Sequence, residues 1–116
     1  MKDSIIGQKS EAFAIRIVRL YRYLTDTAKE YVLSKQMLRA RTSIGANIEE
    51  AAFAMSRNDF LAKMYIALKE CAETAYWLRL LHKTELLSDK EYASIAADSN
   101  ELLKLLSSIT KTVRNS

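Results

Sequence analysis

Residues 88–113 read SDKEYASIAADSNELLKLLSSITKTV and contain both a helix start and a helical period. Ser88 with Glu91 three positions on forms a capping box: the hydroxyl takes up a free amide of the first turn, and the carboxylate returns to the serine N–H. Behind it Tyr92, Ile95, Ser99, Leu102, Leu106, Ile109 and Val113 recur at alternating intervals of three and four, which lines one seam of an α-helix. A seam of that length needs partners of similar length.

The chain upstream supplies them. Ser56-Arg57-Asn58-Asp59 offers a capping hydroxyl and an aspartate for the positive end of a third helix, expected to run to about Lys83. Its core stripe is Phe60, Met64, Ala67, Cys71, Ala75, Leu78 and Leu81, with a second apolar line of Leu61, Tyr65, Leu68, Ala72 and Tyr76 beside it. So wide an arc points to a surface shared with another copy. A second helix, starting at Thr27 (capping-box partner Glu30) or at Ser34, carries Leu33, Met37, Ala40, Ile44, Ile48, Ala51 and Met55 and is expected to end near Ser56. The first, from about Ser4 to Ala28, has Phe13, Ile17, Leu20, Tyr21 and Leu24 on its core side. With short loops, neighbours run antiparallel. The expected fold is all-α, an up-down-up-down antiparallel four-helix bundle in a single domain over residues 1–116.

Composition agrees. In 116 residues there are two glycines and no proline, so little punctuates the helices, and 49% hydrophobic residues is too many for a disordered chain. No apolar run reaches the roughly 18 residues of a membrane span. Met1-Lys2-Asp3-Ser4 leads into no apolar block with a cleavage site, and the lone Cys71 suits a reducing compartment, so a cytoplasmic location is expected. The net charge of +4 is uneven: nine basic and four acidic residues up to Arg41, nine basic and ten acidic after it. Such asymmetry favours phosphate-bearing partners. On the first helix Arg16, Arg19 and Arg22 are expected to face away from the core.

Catalytic and metal chemistry find little support. A di-iron bundle needs Glu-x-x-His on two helices, but His82 is the only histidine and residue 79 is arginine. Cys71 and His82 stand roughly 16 Å apart along one helix, too far for a nucleophile and base. Gly7 and Gly45 cannot build a phosphate loop. The carboxylate pairs Glu49 with Glu50 and Glu70 with Glu73 have the spacing of a solvated helix face. No enzyme, cofactor or metal site is expected.

The second helix also carries a polar line beside its core stripe: Gln36, Arg39, Ser43, Asn47 and Glu50. Serine and asparagine are poor helix formers, so their presence there suggests hydrogen bonds to a neighbouring helix or subunit. These residues, with Ile44, Ile48, Phe60, Tyr65-Ile66-Ala67-Leu68 and Glu73, resemble the bacterial four-helix bundle proteins encoded in 23S rRNA intervening sequences. The resemblance spans about residues 10 to 112 and extends to the accessory variability determinant proteins of diversity-generating retroelements. It implies a ring-shaped homopentamer with a basic surface that engages RNA or a reverse-transcriptase partner, and no enzymatic activity. Ala51 replaces a glycine common in the family, and the link before Leu33 lacks its usual proline.

Two functions follow as expectations. The first is a non-enzymatic oligomeric module that binds RNA or DNA phosphates through Arg16, Arg19, Arg22, Lys35, Arg39 and Arg41, with the line Gln36, Arg39, Ser43, Asn47, Glu50 and Glu73 serving structure. The alternative is a structural adaptor for a protein partner such as a reverse transcriptase.

Overall fold

Each helix begins where a side chain takes up its first free amides. The computed structural model describes residues 4–116, the side chains of Arg41 and Thr42 excepted. Ser4 caps α1 (Ile5–Asp26), Ser56 caps α3 (Arg57–Lys83), and Ser88 caps α4 (Asp89–Arg114) with both halves of the capping box made. The start of α2 (Val32–Ala51) differs from both expected positions. Glu30, outside the helix, accepts the amides of Val32, Leu33 and Ser34 at 3.1, 2.8 and 2.8 Å, while the Ser34 hydroxyl donates to the Glu30 carbonyl. Burial pushes the Glu30 carboxyl up, but these amides and the hydroxyl outweigh it and hold the group below the usual carboxylate range.

The end of α2 is also corrected. The helix stops at Ala51, not near Ser56, because Ala52, Phe53 and Ala54 donate to carbonyls three residues back and wind the chain into a tighter turn. Ser56 and Asp59 then draw the next residues into the α3 cap: Asp59 Oδ2 accepts the Met55 amide at 3.2 Å, and Ser56 Oγ accepts the Asp59 amide at 3.0 Å. Met55, expected on the core stripe, is therefore 93% exposed.

The four helices form an antiparallel up-down-up-down bundle, α1 on α2, α2 on α3, α3 on α4, with α4 returning to α1. No strand occurs among the described residues. The bundle measures 45 × 22 × 20 Å, as helices of this length require. Its core runs from Ile6, Phe13, Ile17 and Leu24 through Met37, Ile44 and Ile48 to Met64, Cys71, Leu78, Leu81, Ile95, Leu102 and Leu106. Thr74 and Thr110, buried among them, donate their hydroxyls to the carbonyls of Glu70 and Leu106 four residues back, so neither leaves an unmet donor. Of the four adjacent pairs, α1 and α4 approach each other least.

Candidate nucleic-acid interface

The structure divides the six cations singled out in the sequence. Arg16 does not face away from the core. It lies only about 80° round α1 from the centre of the core stripe, and its guanidinium reaches α4, donating to Asp98 Oδ2 at 2.6 Å, the Ser94 carbonyl at 3.2 Å and Ser94 Oγ at 3.0 Å. Lys9 makes a parallel link to Glu101 at 2.7 Å. Arg39 turns the other way, onto α3, with 2.8 and 3.0 Å bonds to the two carboxylate oxygens of Glu73. Arg19 and Arg22 are exposed on α1, one turn apart, and Lys35 is exposed on α2. Among the described residues these three make no ion pair. The Arg41 side chain lies outside the described residues.

Outer α1 is not purely basic. Arg19 and Arg22 border a shallow groove of about 420 Å³ with Glu11, Ala14, Ile15 and Val18. Ile15 is exposed, a large apolar side chain between charged ones. Nothing in the core stripe of α1 signals this groove, because it lies on the opposite side of the helix.

The polar line of α2 acts in two ways. At its ends it crosses to α3, through Arg39 to Glu73 and through Glu50 to Lys63 Nζ at 3.2 Å. At its centre it stays within α2: Asn47, buried, donates from Nδ2 to the Ser43 carbonyl at 2.7 Å and lies 3.3 Å from Ser43 Oγ. Gln36 is exposed. The expected network between helices is thus made by the charged members, while Ser43 and Asn47 satisfy each other along one helix turn.

Beneath Arg39, Glu70 and Glu73 sit side by side. Burial, then the neighbouring Glu73 carboxyl, push Glu70 up. Burial also acts on Glu73, but hydrogen bonds from Glu70 and Arg39 outweigh it and hold Glu73 down. Cys71 is fully buried and its thiol is pushed up to about 12 by burial, which removes it as a nucleophile near neutral pH. His82 meets Asp89, not Cys71, with Nε2 2.6 Å from Oδ1, and its ring stacks on Tyr92 at 4.3 Å between centroids. No cluster of three or more potential metal ligands occurs among the described residues.

The loosest seam opens into a cleft of about 650 Å³ between α1 and the start of α4. Leu20, Leu87 and Ile95 make its apolar floor, with Tyr23, Arg16, Arg19 and Lys90 around it. Lys90 and Tyr23 carry no signal in the sequence pattern, since only the pairing of α1 with α4 brings them together.

Comparison with known proteins places this architecture. The model of the 23S rRNA-intervening sequence protein family matches residues 2–108. A crystal structure of a protein of unknown function from the S23 ribosomal protein family of Bacteroides thetaiotaomicron VPI-5482 is 56% identical, with a TM-score of 0.91 over 96% of this chain and 99% of that one. No curated protein matches the chain.

Proposed function

Since the chain belongs to the 23S rRNA-intervening sequence protein family, we propose that it is a non-enzymatic, self-assembling binding protein of the cytoplasm that holds nucleic-acid phosphates on the outer face of α1. The observation that carries this reading is the division among the arginines. Arg16 and Arg39 are held by carboxylates, whereas Arg19 and Arg22 stand exposed with no ion pair among the described residues. Lys35 is likewise exposed, on α2. Contacts of this kind act on the backbone of a nucleic acid, so affinity depends little on sequence and falls steeply as salt rises. Five copies in a ring, as the family resemblance implies, would repeat the pair around an axis and add weak contacts through effective concentration.

The test is a salt titration of binding to RNA and to duplex DNA, with an Arg19→Glu/Arg22→Glu variant beside the wild type. Arg16 is left intact, because Arg16→Glu would set a carboxylate against Asp98 and disturb the α1/α4 seam. Salt-independent binding, or an unaffected double variant, removes α1 from the mechanism. One observation favours a second reading, a protein adaptor: Ile15 and Val18 make an apolar strip between the same arginines, which suits an amphipathic acidic segment. Absence of nucleic-acid binding at low salt selects that reading. Light scattering decides assembly, and a monomer of 13.2 kDa at micromolar concentration excludes the ring.

A further inference from the structure

We propose that the α1/α4 cleft is a binding site for one nucleoside phosphate, with the base over the apolar floor against Tyr23 and the phosphate between Arg19 and Lys90. Its volume of about 650 Å³ falls within the usual range of small-ligand sites. The lining spans Arg16 to Tyr23 on α1 and Leu87 to Ile95 at the start of α4, or about 10 to 12 Å along each helix. That is the length of a nucleotide and too short to seat a helix of several turns.

The floor and the rim of the cleft differ in the way such a ligand requires. Leu20, Leu87 and Ile95 offer an apolar platform, and the half-exposed Tyr23 ring offers an aromatic face. On the charged side, Glu91 is occupied by the Ser88 amide in the α4 capping box, and Asp98 by Arg16. Arg19 and Lys90 therefore remain as the cations without an ion pair among the described residues lining the cleft. Lys90 also stands in the first turn of α4, where the helix dipole adds positive potential. Arg16, held by Ser94 and Asp98, ties α1 to α4 and bounds the cleft on that side.

Arg19 borders both this cleft and the outer α1 groove. A strand lying along α1 would thus pass one nucleotide inward, so for a strand the inference rests on the phosphate-binding reading above; for a free nucleotide it stands alone. The two sources share one chemistry and are told apart by the probe.

The experiment titrates the full chain with adenosine 5′-monophosphate, single-stranded oligoadenylate and the matching RNA duplex, the strands being about ten nucleotides long. Wild type is compared with Tyr23→Ala, Lys90→Glu and Arg19→Glu/Arg22→Glu, each checked by thermal melting. Tyr23 and Lys90 are exposed, and an acid in the first turn of α4 suits the helix dipole, so both single variants should fold. Saturable monophosphate binding, weakened about fivefold or more by both Tyr23→Ala and Lys90→Glu, establishes a free-nucleotide site. No monophosphate binding, but oligoadenylate binding weakened by both single variants while duplex binding does not respond to Tyr23→Ala, establishes a site for a nucleotide within a strand. Monophosphate or oligoadenylate binding that ignores either single variant overturns the cleft. If the strand and the duplex are then still lost in the arginine double variant, phosphate binding on outer α1 survives that result. No binding of any probe overturns both.

Discussion

The two ends of the bundle are built differently. At one end the chain reverses twice, through residues 27–31 and 84–88, and both turns follow the same plan. Each carries one non-glycine residue through the left-handed region, Lys29 at φ 58° and Glu85 at φ 68°. Each is closed by amides reaching back over the helix end: Ala28 to Tyr23 and Glu30 to Leu24 in the first, Leu86 and Leu87 to Leu81 in the second. Each next helix starts on a carboxylate, Glu30 from the turn ahead of α2 and Glu91 from within the first turn of α4. At the other end there is one reversal, residues 52–56, closed only by short local bonds, with Phe53 at 81% and Met55 at 93% exposure. By the antiparallel topology, the exposed Ile5 lies at that end too. One end thus gathers bonds that stabilise the protomer, while the other displays apolar surface that adds nothing to its stability.

That contrast can be broken, and the largest expected effect is at the tight end. Glu30→Ala removes the acceptor for three α2 amides and should cost about 1 to 2 kcal/mol, or a fall in melting temperature of roughly 5 to 10 °C. A wild-type melting curve for this variant would show that α2 starts without its cap. The pH dependence comes next. Glu30 and Glu91 are both held below their ordinary values, Glu91 by hydrogen bonds with Ser88. Their contribution is therefore complete above the unfolded carboxylate pKa of about 4.3 and is lost as pH falls through their lower folded values. Glu70, pushed up, acts in the opposite sense: its contribution is present below the unfolded value and is lost as pH rises through the folded one. Acid titration of stability should show a shallower acid limb in Glu30→Ala than in wild type.

The left-handed residues sharpen the comparison. Lys29→Gly and Glu85→Gly each relieve a backbone strain of about 1 kcal/mol and give part of it back as extra freedom of the unfolded chain, so each should stabilise by about 0.5 kcal/mol in denaturant melts. Destabilisation by both would mean that their side chains contribute more than the strain costs. The smallest effect on stability belongs to the open end. Phe53→Ser and Met55→Ser should change protomer stability by less than about 0.5 kcal/mol, while sedimentation should show smaller assemblies. If assembly is unchanged, that apolar end is not the contact between copies.

The fold was legible because its signals are local. Ser56, Ser88 and the three-four stripes each depend on residues within a few positions, and the structure has them as expected. The start of α2 was obscure for a specific reason. Thr27 and Glu30 resemble a capping box, but in the structure Glu30 is the acceptor ahead of the helix and not its third residue. The end of α2 was misjudged because Met55 keeps the stripe's spacing while the capping side chains of α3 compete for its backbone. The candidate site was less legible. Arg16 stands three residues after Phe13 and four before Leu20, on the flank of the stripe, and whether such a side chain meets solvent or a neighbour depends on where α4 puts Asp98. The cleft depends on pairing helices from opposite ends of the chain, which no pattern within one helix records.

The open α1/α4 seam also affects how the molecule comes apart. A helix is released only when its contacts on both sides give way, and α1 has less contact with its two neighbours than any other helix has with its own. Partial opening should therefore release α1 first and leave α2 packed on α3, the pair with the most extensive contact. Amide protons of Ile17 and Leu24 should then exchange with deuterium before those of Ile44 and Ala67, although all four residues are buried to the same degree. A ligand bridging α1 and α4 would slow the first pair and leave the second unchanged.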